Sequence, residues 1–143
     1  MTLYSHYSEV PPEDWPWPDF TPQEMACRGT GMIGFHPGFM TGLQTLRSLL
    51  DSPMTVTSAC RSAAHNRRVG GHSKSLHVCD EPLHAGQQGT LAVDIATVDG
   101  AYRGRLFALA WQQGWSIGWN APGRFLHLDL RGEISLPQTT FDY

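Results

Sequence analysis

The sequence predicts an α+β fold: a small antiparallel sheet with helices packed on one face and ligand-bearing side chains on the other. Three patterns predict it. Phe125-Leu126-His127-Leu128-Asp129-Leu130 alternates strictly, and a period of two places the leucines on the core face of a strand with His127 and Asp129 opposite. Leu91-Ala92-Val93-Asp94-Ile95-Ala96 alternates likewise, so Leu91, Val93 and Ile95 take the core and Asp94 emerges between two small alanines. Phe39, Leu43, Leu46 and Leu50 recur at intervals of four, three and four, the buried stripe of an amphipathic helix.

The remaining elements follow in order. Residues 1–19 hold Pro11, Pro12, Pro16 and Pro18 among Trp15 and Trp17, which predicts an extended arm pinned by its aromatics. One domain is expected over 20–143. Thr21-Pro22-Gln23-Glu24 is a capping-box signature with proline at the first helical position, predicting a short helix from Pro22 to about Cys27. The amphipathic helix spans 37–51, and Met54-Thr55-Val56-Thr57-Ser58, rich in β-branched residues, is a short strand that delivers Ser58 and Arg61 to a site. Ser62 caps a helix through Asn66 that Gly70-Gly71 stops. Residues 78–89 form a loop, and Tyr102, Leu106, Leu109, Phe107 and Trp111 mark a second long helix over 100–113. Trp115 to Trp119 is a strand, 120–123 a turn, and 124–130 the strand already described. After Gly132 no pattern emerges.

Composition narrows the function. With 143 residues and 41% hydrophobic content, the chain can bury a real core. A net charge of -3 argues against nucleic acid as a partner, while Arg61, Arg67, Arg68 and Lys74 make the centre locally basic and suited to a carboxylate-bearing ligand. Neither a signal-peptide core nor a window of membrane-spanning length is present, so no membrane insertion is expected. Cys27, Cys60 and Cys79 have no zinc-finger spacing, and a reduced compartment with buried thiols is the default.

Four of the seven histidines fall between positions 65 and 84, close in sequence to Asp94. His77, Asp94 and His127 supply two imidazoles and a carboxylate, the type of set that holds a catalytic zinc with one position left to water. Their spacing makes no local motif, and a carboxylate paired with arginine or a histidine at a sheet surface is the plainer explanation of each. The shared strand face of Asp94 and His127 favours the metal.

Thr57-Ser58-Ala59-Cys60-Arg61, His65-Asn66 with Val69-Gly70-Gly71, Ser75-Leu76-His77, Ala92-Val93-Asp94-Ile95 and Phe125-Leu126-His127-Leu128-Asp129 together resemble the zinc D-alanyl-D-alanine carboxypeptidase-like peptidases. That family includes bacteriophage endolysins and shares a metal-site fold with Hedgehog signalling domains. The resemblance runs from about Phe20 to Arg131. It implies zinc held by His77, Asp94 and His127, with Arg61 binding a substrate carboxylate or steadying the oxyanion and Ser58 and Ser75 beside it. The implied substrates are D-amino-acid-containing peptides of bacterial peptidoglycan. The implied setting is a monomer in a host cytoplasm until release to the wall, or on a virion. Two departures stand out. Sixteen residues separate His77 from Asp94 where the family has a few, which suggests an inserted loop beside the site and makes His84 a rival to His77. The family's acid three residues before the last histidine is here Arg124. Asp129, on the face of His127, is therefore the expected general base, the alternative role being to orient a metal-bound imidazole; Asp80, Glu81, His84 and His72 are its rivals. The missing acid also leaves open a wall-binding or virion module without turnover.

Overall fold

A computed structural model describes residues 2–119 and 124–143; the turn expected at 120–123 lies outside them. The elements that frame the site are helices α1 (Pro22–Met25), α2 (Phe39–Leu50), α3 (Ala63–Arg68) and α4 (Gly100–Gln112), with strands β1 (Val56–Ser58), β2 (Ala92–Ala96), β3 (Ser116–Trp119), β4 (Phe125–Asp129) and β5 (Thr140–Asp142). Among the described residues these strands form one five-stranded sheet in the order β1-β2-β4-β3-β5. The fold is α+β, but the sheet is mixed rather than antiparallel. β5 comes from the tail in which the sequence shows no pattern, and it joins β3 in parallel, Gly118 opposite Phe141.

Local chemistry accounts for the helix boundaries. Thr21 and Glu24 close the capping box on α1. Ser62 caps α3 through the His65 amide and Asp99 caps α4 through the Tyr102 amide, each worth about 1 kcal/mol. The stripe of α2 is fully buried, as are Leu91, Val93, Ile95, Leu126 and Leu128 from the strands. On α4 the core contacts are Tyr102, Leu106 and Ala110, while Trp111 is exposed. All three cysteines are free and buried. No helix among the described residues is long and apolar enough to cross a membrane.

The segment before α1 is folded rather than extended. It turns through 3-10 helices at Tyr7–Glu9 and Pro12–Asp14, Pro12 sitting where a first-turn proline loses no hydrogen bond. Its aromatics do pin it: the Trp15 indole N–H donates to the Phe20 carbonyl at 2.8 Å, and Trp15 meets the Phe35 ring in the core.

The loop between α3 and β2 is tied at both ends. The Gln87 amide donates to the carbonyls of Leu76, Val78 and Gly89. Thr90 then crosses the 34–36 segment, donating its amide to Gly34 and accepting from His36, and its hydroxyl donates to the His77 carbonyl at 2.8 Å. Gly89 makes this crossing feasible, because a Cβ there would lie 2.7 Å from the Phe35 carbonyl carbon and 2.9 Å from the His36 nitrogen. Neither backbone atom can move aside cheaply. Gly89→Ala is therefore expected to destabilise the fold by about 2 kcal/mol, read by denaturant titration, and to weaken metal binding through Thr90 and His77. Unchanged stability would show that the crossing tolerates a side chain.

Candidate metal centre

Three segments deliver the centre. Asp94 sits mid-way along β2, in register with His127 on β4 and with Ser58 on β1. His77 comes from the loop, its carbonyl gripped by the Arg61 amide at 2.9 Å and by Thr90. Because alternation spends Leu126 and Leu128 on the core, His127 and Asp129 share the opposite face with Asp94. That face is nevertheless buried: His77, Asp94, His127 and Asp129 are all at most 5% exposed.

Hydrogen bonds on the far side of each imidazole define the donor atoms. His77 Nδ1 lies 2.7 Å from the Ala59 carbonyl and can only donate to it, so Nε2 keeps its lone pair. His127 Nε2 lies 2.9 Å from Asp129 Oδ2 and donates to that carboxylate, which frees Nδ1. These two lone pairs face a single oxygen, Asp94 Oδ1, at 3.2 and 3.0 Å. Three acceptors this close repel one another unless a cation lies among them. The donor atoms of the three residues all fall within 4.8 Å of one another, and ligands on a tetrahedral zinc are spaced about 3.3 Å apart given bonds of ~2.0–2.1 Å. The residues fit the ion.

Complete burial lowers the His77 pKa, against the pull of Asp94. Burial opposes ionisation of Asp94, but its close contacts with His77 and His127 outweigh burial and hold the carboxyl well below its usual range. His127 is lowered by burial but raised further by its bonds to Asp129 and Asp94. Burial likewise works against the Asp129 carboxylate, and hydrogen bonds from Arg131 and His127 keep its pKa low.

Around the centre opens a cleft of about 630 Å³, a size suited to a short peptide. Arg61 reaches it from the turn after β1. Its Nε donates to Ser58 Oγ at 3.0 Å, one terminal nitrogen to Asn66 Oδ1 at 3.3 Å, and the other approaches Asp94 Oδ2 at 3.5 Å. Gly71 gives this pair its space, since a Cβ there would collide with the Asn66 amide oxygen and crowd Arg61. Tyr143 lines the same cleft as Arg61.

The structure thus brings together His77, Asp94, His127, Asp129 and Arg61. Ser58 touches Arg61, and Ser75 lines the cleft while its hydroxyl accepts from the His77 amide at 3.2 Å. His84 is not among the three converging residues; its Nε2 donates to the Lys74 carbonyl at 2.8 Å on the cleft wall. Asp129, expected as general base, has no free oxygen on view. Oδ1 accepts from Arg131 Nε at 2.8 Å, and Oδ2 takes both Arg131 at 2.7 Å and His127. Of the loop acids, Asp80 bonds the Ala63 amide at the start of α3 and Glu81 pairs with Arg67. Sequence reasoning assigned no role to Asn66, Arg131, Phe141 or Tyr143. Asn66 and Arg131 lay inside recognised segments; Phe141 and Tyr143 lie in the tail, which shows no pattern.

Two imidazoles and a carboxylate with pinned tautomers, beside a cleft and a fixed arginine, define a metal-dependent hydrolase centre. Residues 18–129 match the family described as Peptidase M15. The chain belongs to that family and is a zinc metallopeptidase, a class that acts on peptidoglycan-type substrates. No curated protein matches it.

One zinc per chain is expected, lost on His77→Ala, Asp94→Ala or His127→Ala and retained on His84→Ala, with elemental analysis as the measurement. Asp129→Asn should weaken zinc about tenfold to a hundredfold, read by chelator competition. Full zinc content in His127→Ala would refute the ligand set.

Proposed function

We propose that the protein hydrolyses an amide bond in the D-amino-acid-containing stem or cross-link peptides of bacterial cell wall, as a carboxypeptidase or endopeptidase of the endolysin or virion-associated type. The observation that carries this reading is Arg61, a cation fixed by Ser58 and Asn66 with one nitrogen 3.5 Å from Asp94. A guanidinium held in this way can take a carboxylate or a developing oxyanion without first having to order itself. Zinc, when bound, supplies a Lewis acid and lowers the pKa of its water to about 7.

The protein groups divide the remaining work. His77, Asp94 and His127 are the proposed ligands. Asp129 takes the orienting role rather than that of base, because a carboxylate saturated by Arg131 and His127 has no oxygen left for a water proton. Arg124, where relatives carry an acid, offers no substitute. Among the cleft histidines, His72 Nδ1 already accepts from the Lys74 amide. His84, whose Nε2 donates to the Lys74 carbonyl, lines the cleft and is the histidine we assign as proton acceptor. The order of ligands along the chain supports likeness to the Hedgehog-type metal-site fold, and a monomer suffices because one chain supplies every group.

Digestion of purified peptidoglycan, followed by mass spectrometry of the fragments, tests the activity: products are expected with zinc and none with chelator. Arg61→Lys should keep zinc and fold yet lose at least about tenfold in kcat/KM, because lysine offers a point charge in place of a two-pronged fork. Wild-type rates in that variant would return Arg61 to a scaffold role.

A further inference from the structure

Residues 130–143 lie beyond the family match, yet they build one wall of the cleft. β5 lies alongside β3, and the Tyr143 amide donates to the Trp119 carbonyl at 2.9 Å. At the point of crossing β3 carries Gly118, which is in register with His127 on β4. A Cβ on Gly118 would lie 2.8 Å from Phe141 Cε2 and 2.9 Å from Tyr143 Cδ2. The missing side chain lets two aromatic rings lie over the sheet next to His127. Tyr143 stacks on the imidazole, with centroids 4.9 Å apart and planes at 24°, and Phe141 meets it edge-on at 5.6 Å. Arg131, already bound to Asp129, sits 4.9 Å from the centroid of Phe141.

This is more than core packing. Tyr143 remains 45% exposed, and both rings line the cleft that Arg61 enters. Arg61 and Tyr143 line the same cleft, and a phenol carries an O–H that can donate where the guanidinium offers only N–H groups. A carboxylate held by Arg61 is the group within reach, and an O–H donor beside a guanidinium makes a clamp for it.

We propose that Tyr143 is a substrate-binding residue: its hydroxyl, on the cleft wall shared with Arg61, donates to the C-terminal carboxylate of the substrate, and its ring with Phe141 packs against a small apolar side chain on that last residue. The favoured substrate is then a peptide with a free C-terminus. This inference rests on the reading of Arg61 as a carboxylate site, and it selects carboxypeptidase action over cleavage inside a cross-link.

The probes are two acetylated tripeptides ending in D-alanyl-D-alanine, one a free acid and one a C-terminal amide, each with the last peptide bond reduced to an uncleavable methyleneamine. Calorimetry measures their binding to the zinc-loaded protein. Wild type should prefer the acid. Tyr143→Phe should lose about tenfold on the acid, as for a hydrogen bond to a charged group, and less than twofold on the amide, with zinc content and circular dichroism unchanged. Equal losses on both probes, or none on the acid, overturn the proposal. Tighter binding of both probes by Tyr143→Ala also overturns it, since the ring would then be a plug. Wild type without acid preference refutes the Arg61 reading and this inference together. Preference for the acid without hydrolysis of the unreduced peptide or of peptidoglycan refutes the peptidase assignment alone and leaves Tyr143 to be judged by its own binding data.

Discussion

The centre depends on two hydrogen bonds that point away from it. His77 gives its Nδ1 proton to the Ala59 carbonyl and His127 gives its Nε2 proton to Asp129, and these donations turn both remaining lone pairs toward Asp94. Each anchor has its own support. Ala59 follows directly on β1, which pairs with β2 and so moves with Asp94. Asp129 is a fully buried carboxylate, tolerable only because Arg131 neutralises it at 2.7 Å. From Arg131 the chain of contacts runs on to Phe141, so that the metal face of the sheet is held from its middle strands out to β5.

How much of this could be read from the residues depended on how local the signal was. Alternation in two strands predicted which side chains face the core, and Leu126, Leu128, Val93 and Ile95 are indeed fully buried. The same alternation placed Asp94, His127 and Asp129 on one face. It could not say that this face would be covered in turn, because its cover comes from Arg61 and from a tail remote in sequence. β5 escaped notice because three residues are too few to display a period and their burial does not alternate strongly. The mixed character of the sheet went unseen with it. The partners of Asp129 were likewise invisible in the pattern: period two fixes its side of the strand, and Arg131, two residues on, bonds both of its oxygens.

The loop between His77 and Asp94 was legible as an insertion but not as a structure. Its order comes from the Gln87 side chain, which collects three backbone carbonyls, and from Thr90, which links the loop's exit to His77. A long connection usually costs precision at a site. Here a single amide side chain ties the loop beside the residue that the centre needs from it.

The connectivity of the sheet has a consequence for how the protein matures. Asp94 meets His77 and His127 across 17 and 33 positions of sequence, and β2 reaches β3 only through β4, a later strand inserted between them. Pairings of this kind are reached late, because long loops must close before any contact rewards them. A partly synthesised chain ending before β4 would expose both edges of its intended neighbours and present only two of the three donors. The third donor thus arrives with β4, the strand that joins β2 to β3 in the middle of the sheet.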